Sequence, residues 1–481
     1  MKLNKISLGV AAVVGLLSAP AHALLASAYT NTSEFAGDTT NIRISGATAQ
    51  DPGLLAATLR LCSAGTMTAY SISNNFVYFC TADTTKFTPR AGTTKLALYK
   101  YSVGGSGSGV GFVNSATAIP FMDLTKLATA CTAGATTVDA DGTATNLSTY
   151  QSFACTAASS NVTTNALSYI GISDVEPQFF GPPSTYNNLN AAGLASVIFG
   201  VPVTKVAYEA LQTAQGKTVG GLTEADMPSL SGAQISSMYT QEGQTWAGLT
   251  GVEVNAADDI IYVARRADTS GTQKSFEAVV ARSINGTPNA RQCGESVEPF
   301  VSGVDALNNT VVNTTCNGSN IVVNGSGSGQ VLACLNLHND GGRGAVGVLS
   351  TEYKQLAGGK ARFVKINGVA PTHANVAGGL YTAYTDASLN TRVGATSPTE
   401  DAPGYTDFVT GFKAAFANPI TIAQINAGSQ TFGPSGLMAL DNLVSPTPAA
   451  DYTGASGRNP WSRLVGGTDL NNCQNAKAAA F

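Results

Sequence analysis

The pattern of apolar and polar positions is clearest around residues 260–280. Residues 260–264 form a short run of β-branched and aromatic side chains, which predicts a buried strand. Phe276, Val279 and Val280 then follow the i, i+3, i+4 spacing of an amphipathic helix. The sequence between them is Arg-Arg-Ala-Asp-Thr-Ser-Gly-Thr, so the pattern predicts a strand, a tight turn and a helix start.

The same reading predicts strands alternating with helices along most of the chain, which indicates an α/β fold. Strands are predicted at 41–44, 76–79, 95–101, 169–172, 195–203 and 362–366, and helices at about 53–61, 230–239 and 408–416. Residues 205–211 either continue a strand or begin a helix. Three segments are predicted as irregular: a Gly/Ser-rich turn at 103–110, a Thr/Ala/Ser-rich surface insertion at about 121–165, and an Asn/Gly/Ser-rich loop or hairpin at 308–329.

The turn at 264–272 carries candidate chemistry for an anion. Thr269 or Ser270 is a natural N-cap, and Gly271 lets the backbone approach a ligand closely. The free N–H groups of a helix start favour negative charge, and Arg266 adds a guanidinium suited to bidentate contact with an oxyanion. Asp268 would repel a fully ionised anion, but it could accept the proton of hydrogen phosphate. The alternative is an exposed, well-capped helix with a surface ion pair.

Composition and charge exclude some classes of function. The 481-residue chain has a net charge of −4 and no basic block, which argues against a nucleic-acid partner. Two histidines follow residue 23, His338 and His373, and neither lies near a serine elbow or an acidic metal cluster. Ser270 lies in Thr-Ser-Gly-Thr rather than in G-x-S-x-G, so an enzyme is not expected. No cofactor and no metal are expected either.

The start of the chain predicts export. Residues 1–23 have a basic start, an apolar stretch and an Ala-His-Ala cleavage site, as in a secretory signal peptide. No later apolar run is long enough to span a bilayer. We therefore expect a periplasmic or secreted protein.

Eight cysteines follow the predicted cleavage site, and an even count in an exported chain suggests disulfides. Proximity favours Cys62–Cys80 and Cys131–Cys155. Cys293, Cys316, Cys334 and Cys473 could pair in three ways. No CxxC pair is present, which argues against zinc or haem chemistry.

Several motifs resemble those of the phosphate-binding proteins of bacterial ABC importers. Arg-Ala-Asp-Thr-Ser-Gly-Thr at 266–272 resembles the Arg-x-Asp-x-Ser-Gly-Thr anion loop of that family. Five further segments agree in order, namely 44–48, 103–109, 171–174, 230–246 and 344–348. One departure is Ala49, where the family usually has a bulky aromatic residue. The first loop is also one residue short, so the role given to Thr48 could fall to Ser45.

The resemblance implies a two-lobed periplasmic-binding-protein fold of type II with a cleft between the lobes, plus disulfide-stapled insertions. Lobe 1 would span 24–205, with the insertion at about 121–165, and 345–481 with the C-terminal tail; lobe 2 would span 206–344. The resemblance also implies a phosphate ligand, held by Arg266, Asp268, Ser270, Gly271, Thr272, Asp174, Ser106 and Thr48. An ABC permease in the inner membrane would be a further partner, and no nucleic acid is expected.

Three functions remain in competition. The first is capture of inorganic phosphate by an exported binding protein. The second is a secreted or surface structural or adhesive protein that keeps this fold, which the Thr/Asn-rich insertions favour. The third is a secreted phosphatase. The sequence does not distinguish phosphate from arsenate or another oxyanion.

Overall fold

The structure is a computed structural model, and it describes residues 23–33, 35–138, 149–156, 159–181, 183–280, 313–353, 358–393, 405–417, 436–440, 458–465, 469–472 and 476–478. Residues 1–22 of the predicted signal peptide lie outside the described residues, and so do Cys293 and Cys473.

Strands and helices alternate along the described part of the chain, so the predicted α/β class is confirmed. The strands are β1 Thr39–Gly46, β2 Thr68–Ile72, β3 Asn75–Thr81, β4 Lys95–Tyr101, β5 Ala118–Met122, β6 Cys131–Val138, β7 Thr149–Cys155, β8 Thr163–Leu167, β9 Ile170–Ser173, β10 Leu189–Thr204, β11 Ser229–Leu230, β12 Tyr262–Arg266, β13 Val322–Gly325, β14 Ala345–Gly347, β15 Leu349–Ser350, β16 Ala361–Ile366, β17 Tyr384–Arg392, β18 Leu437–Leu440, β19 Arg458–Asn459, β20 Trp461–Ser462, β21 Leu464–Val465, β22 Asp469–Leu470 and β23 Lys477–Ala478.

Helices follow many of these strands. They are α1 Asp51–Leu61, α2 Gly105–Ser115, α3 Leu124–Leu127, α4 Ser159–Val162, α5 Lys205–Ala214, α6 Gly232–Thr240, α7 Trp246–Thr250, α8 Gly271–Val279, α9 Ser328–Asp340, α10 His373–Ala377 and α11 Tyr405–Ala417. Short 3-10 helices include Thr48–Gln50 and Pro177–Phe179. Among the described residues, none of the helices has the length and apolar character needed to cross a membrane.

Two sheets organise the strands, and β10 belongs to both. In the first sheet the order is β6-β7-β2-β3-β4-β1-β9-β17-β10, with β1 parallel to β4 and β9. In the second the order is β13-β12-β14-β10-β16-β11, with β12 parallel to both of its neighbours. The 16-residue β10 pairs with β17 through its first part and with β14 and β16 near its end. One strand therefore connects the two sheets.

Each sheet has its own apolar core. The side chains of Ile42, Ile44 and Leu98 on the first sheet pack with those of α1 and α11. On the second sheet, Val263 and Val346 pack with Phe276 of α8 and with Trp246. These side chains are the apolar face of the predicted strand and helix patterns. The lobe boundaries proposed from the sequence stay a prediction.

Two segments differ from the sequence-based expectation. In the segment predicted as a surface insertion, Phe121 and Val162 are fully buried and β7 pairs with β2, because that segment contributes its own strands and apolar side chains to the first sheet. In the segment predicted as a loop at 308–329, β13 forms beside β12 and α9 begins at Ser328. The glycines masked both elements in the sequence, since their propensity for regular structure is low.

Three disulfides are present among the described residues. Cys62–Cys80 and Cys131–Cys155 confirm the predicted pairs. Cys316–Cys334 settles one of the pairings that the sequence left open, and it joins the segment before β13 to α9.

Candidate functional site

The predicted strand, turn and helix start at 260–280 are confirmed. Strand β12 ends at Arg266 and helix α8 begins at Gly271. Ser270 is the N-cap, and its Oγ accepts a hydrogen bond from the backbone N–H of Gln273 at 3.4 Å. Strand β12 lies between two parallel strands, so all three end at the same edge of the sheet. The start of α8, with its free N–H groups, therefore lies at that edge.

Arg266 is buried at this edge, with 1% of its surface exposed. Its guanidinium donates from Nε to Gly325 O at 3.3 Å, from Nη1 to Ser328 Oγ at 2.8 Å and from Nη2 to Ser326 O at 3.2 Å. Burial lowers the pKa of Arg266, and the negative charge of Asp174 opposes that shift. The arginine is therefore a cation held in a fixed orientation at the start of α9.

Asp174 lies just beyond the end of β9 and is 2% exposed. Its carboxylate accepts from Gln50 Nε2 at 3.1 Å and from Thr272 Oγ1 at 3.2 Å. Its backbone N–H donates to Ser106 Oγ at 3.0 Å. Burial raises the pKa of the Asp174 carboxyl, while the hydrogen bonds and the charge of Arg266 oppose that shift. A buried carboxyl in this position can accept a proton from a ligand.

The starts of α2 and α8 contact each other directly. The backbone N–H of Gly107 donates to Thr269 O at 2.8 Å. A Cβ atom built on Gly271 would lie 2.1 Å from Ser106 Oγ and 2.8 Å from Asp174 Cβ, so only glycine fits. The N-termini of two helices that follow strands of different sheets thus meet at the predicted anion loop. The hydroxyls of Ser106 and Thr272 at these N-termini hydrogen-bond Asp174.

Six of the eight predicted site residues are gathered at this contact. Arg266, Ser270, Gly271, Thr272, Asp174 and Ser106 all lie at the starts of α2 and α8 or at the strand ends beside them. Whether they bind a ligand remains a prediction.

Asp268 does not lie where the sequence-based argument needs it. Its side chain is 74% exposed, and its carboxylate pairs with the neighbouring Arg265 rather than with Arg266. Solvation and the adjacent guanidinium favour this position, because a second buried carboxylate beside Asp174 would be costly to desolvate. The acceptor position at the helix contact belongs to Asp174 in this structure.

Thr48 lies in a short 3-10 helix between β1 and α1 and is half-buried on the wall of a neighbouring cavity. The hydrogen bond to Asp174 comes instead from Gln50, two residues later. The alternative, Ser45, donates its hydroxyl to Ser108 O in α2 at 3.2 Å. Gln50 has no signal in the sequence, since nothing local indicates a partner 124 residues away.

A buried lysine was also missed. Lys100 near the end of β4 is fully buried, and its Nζ lies 2.9 Å from Asp51 Oδ1 at the start of α1. It also donates to Ser102 Oγ at 2.6 Å and to Gly46 O at 2.9 Å. Burial lowers the pKa of Lys100, and Asp51 opposes that shift. Lys100 therefore ties the ends of β1 and β4 to the start of α1.

The segment that holds the Arg266 guanidinium repeats an earlier motif. Gly-Ser-Gly-Ser-Gly occurs at 105–109, where α2 begins, and again at 325–329, between β13 and the second residue of α9. In both places a strand leads into a helix through small residues that let the backbone come close to its neighbours. This internal identity was the sequence signal that could have identified Gly325, Ser326 and Ser328 as the contacts of Arg266.

One group of side chains has metal-ligand chemistry among the described residues. The ligand atoms of Cys316, Cys334 and His338 all lie within 4.8 Å of one another. The two sulfur atoms form a disulfide, so they are not available as thiolates. His338 stacks on Tyr262 with ring centroids 4.3 Å apart, and burial lowers its pKa to about 4. This group is part of the packing between β12 and α9.

Comparisons with known proteins find likeness only among solved structures. No protein-family model matches the chain, and no curated protein matches it. An ABC-type phosphate transport receptor from Vibrio cholerae is 15% identical, covers 78% of this chain and 94% of its own, and has a TM-score of 0.37. PstS from Borrelia burgdorferi is 13% identical, covers 81% of this chain and 96% of its own, and has a TM-score of 0.34.

A third structure has a higher TM-score than these two. It is assigned as a phosphate ABC transporter substrate-binding protein, from Clostridium perfringens, and holds phosphate. It is 14% identical, covers 83% of this chain and 99% of its own, and has a TM-score of 0.43.

Proposed function

We propose that this protein is an exported solute-binding protein that captures hydrogen phosphate between the starts of α2 and α8. The observation that carries the proposal is the convergence of Arg266, Asp174, Ser106 and Thr272 from two different sheets. A guanidinium, two hydroxyls, a helix N-terminus and one carboxylate are the groups that a protonated tetrahedral oxyanion needs.

Each group has a definite role in this proposal. Arg266 and the N–H groups of α8 neutralise the charge of the anion, and Ser106 and Thr272 donate their hydroxyls to its oxygens. Asp174 accepts the proton that the anion keeps. The Thr272 hydroxyl now donates to the Asp174 carboxylate, which is itself a charge-assisted bond, so an oxygen of the anion takes over that donor when it binds.

Capture requires the two helix starts to move apart. The contact between Gly271 and Ser106 leaves no room for an anion between them, and Gly107 bonds Thr269 across the same contact. Strand β10 pairs in both sheets and is the natural place for a hinge between two lobes. We propose that the lobes open, admit the anion and close over it.

A structural role is the second candidate. It is favoured by the fact that Ser106 and Thr272 both already bond Asp174, as they would in a contact that only holds two sheets together. A secreted phosphatase is the third candidate, and no nucleophile–base pair among the described residues favours it. Export to the periplasm or the medium, and delivery of the anion to an ABC permease, belong to the same proposal.

Calorimetric titration of the purified protein distinguishes these candidates. The proposal predicts saturable binding of phosphate at one site, no turnover of a phosphomonoester and weak binding of sulfate. Absence of heat with phosphate at millimolar concentration would favour the structural role, and release of phosphate from an ester would favour the enzyme. Titration with arsenate shows how far the site separates one tetrahedral oxyanion from another.

A further inference from the structure

A cavity of about 520 Å³ lies beside the proposed anion site. Its lining comes from segments that follow strands of both sheets: Thr48 and Asp51 follow β1, residues 326–330 follow β13, and Glu352 and Tyr353 follow β15. Pockets that hold small organic molecules measure about 300–1,000 Å³. Inorganic phosphate has only five non-hydrogen atoms, so this cavity is far larger than that anion requires.

The cavity is coupled to the anion site through Arg266. Ser328, on the cavity wall, accepts the 2.8 Å hydrogen bond from Arg266 Nη1 and also hydrogen-bonds the hydroxyl of Tyr353. Glu352 is near enough to Arg266 for its charge to raise the pKa of that arginine, and the charge of Asp174 raises the pKa of Glu352. A ligand whose charged end lies at Arg266 would therefore extend its other end into the cavity.

The walls combine aromatic rings with hydrogen-bonding side chains. Phe76 and Tyr353 are half-buried and present ring surface, while Asp51, Glu352 and Asn74 present oxygen and nitrogen atoms. Apolar walls with a few placed polar groups are usual for small-molecule sites, and this polar set suits hydroxyl groups, which both donate and accept.

The charges in the cavity do not oppose an anionic ligand. Asp51 is neutralised by Lys100 at 2.9 Å. Burial raises the pKa of Glu352 to about 8, so its carboxyl is mostly protonated and uncharged at neutral pH. Neither carboxyl therefore places a net negative charge against a ligand that carries a phosphoryl group.

We infer that this cavity is a subsite for the hydroxylated carbon portion of a singly protonated phosphate monoester, such as a phosphorylated polyol or sugar, whose phosphoryl group is held by Arg266 and the start of α8 while Asp174 accepts its remaining proton. This inference rests on the proposed function, and it changes the ligand class from the inorganic anion alone to its small hydroxylated esters.

Gly329 allows a direct test, since it lines the cavity and, apart from its chain neighbours and the backbone of its own helix, no atom lies within 4 Å of a Cβ built on it. Gly329→Leu would fill the cavity without a clash at the backbone. Gly111→Leu is a matched control, because Gly111 is also in a helix with open space around its Cβ and does not line the cavity. The probes are inorganic phosphate, glycerol 3-phosphate and glucose 6-phosphate, with glycerol and glucose as controls that lack the phosphoryl group.

We expect at least one of the two esters to bind the wild-type protein tenfold or more tightly than phosphate does. Gly329→Leu should remove that preference and leave phosphate binding within about threefold, and Gly111→Leu should change neither. Phosphate binding without tighter ester binding would overturn the inference and leave the proposed function in place. Equal loss of ester and phosphate binding in Gly329→Leu would also overturn it, and absence of binding by every probe would overturn both.

Discussion

Ser106 and Gly271 meet so closely that a Cβ atom on the glycine would lie 2.1 Å from the serine Oγ. The serine belongs to the first turn of α2 and the glycine begins α8, so the contact joins helix starts that follow strands of different sheets. Gly271→Ala should therefore destabilise the protein by about 1–3 kcal/mol, the usual cost of overpacking, and weaken phosphate binding. Urea unfolding and phosphate calorimetry measure the two effects.

Gly329→Ala is the control for that substitution. Gly329 also lies at a helix start, but a Cβ on it would have open space around it. The Gly329→Ala variant should therefore be as stable as the wild type or more stable by up to about 1 kcal/mol. Equal stability and equal phosphate binding in the two alanine variants would show that the contact at Gly271 is not constrained as described.

Arg266→Lys should weaken phosphate binding by about tenfold or more. The arginine orients its guanidinium through three separate donors to Gly325, Ser326 and Ser328. A lysine keeps the charge but has no planar fork, so it cannot hold that orientation and contact an oxyanion at the same time. Calorimetry gives the affinity, and circular dichroism confirms that the variant is folded. Unchanged affinity would remove Arg266 from the site.

Asp174→Asn and Asp268→Asn form a matched pair. Asp174 is buried at the helix contact, whereas the side chain of Asp268 is 74% exposed. An asparagine at 174 would present N–H donors where the proton acceptor stood, so the preference for phosphate over sulfate should fall at least tenfold. Asp268→Asn should change that preference by less than about threefold. Competition titrations with phosphate and sulfate measure this preference in each variant. A larger loss of preference in Asp268→Asn than in Asp174→Asn would restore the acceptor role first given to Asp268.

Glu352→Gln should make stability less dependent on pH. Burial raises the pKa of Glu352 from 4.5 to about 8, and the charges of Asp174 and Asp51 add to that shift, with Arg266 nearby. The folded protein then binds more protons than the unfolded chain between pH 4.5 and 8, so this group contributes stability at low pH that is lost as pH rises through that range. Urea unfolding at pH 5 and pH 8 should show a smaller difference for the glutamine variant than for the wild type. Parallel curves for the two proteins would contradict the assignment.

Local patterns in the sequence predicted the elements that they determine locally. The apolar run at 260–264 and the spacing of Phe276, Val279 and Val280 were sufficient for β12 and α8 because each pattern lies within one element. Ser270 as a cap and Gly271 as a point of close approach followed from the same short stretch. The resemblance added Asp174 and Ser106, which no local pattern connects to Arg266.

The partners that lie far apart in sequence could not be predicted. Gln50 reaches Asp174 across 124 residues, and Lys100 meets Asp51 through the packing of β4 beside β1. The ion-pair partner of Asp268 could not be predicted either, because the sequence offers two adjacent arginines as equivalent partners. Only the geometry of the strand places Arg265 beside Asp268. In each case the partner depends on how the strand ends are arranged in the whole sheet.

Hydrogen–deuterium exchange with and without phosphate tests directly whether the anion lies between the two helix starts. If it does, phosphate should slow exchange at 104–109 and at 269–274 together, and sulfate at the same concentration should slow neither segment. Millimolar phosphate that leaves both segments unchanged, or that protects only one of them, would contradict capture between α2 and α8.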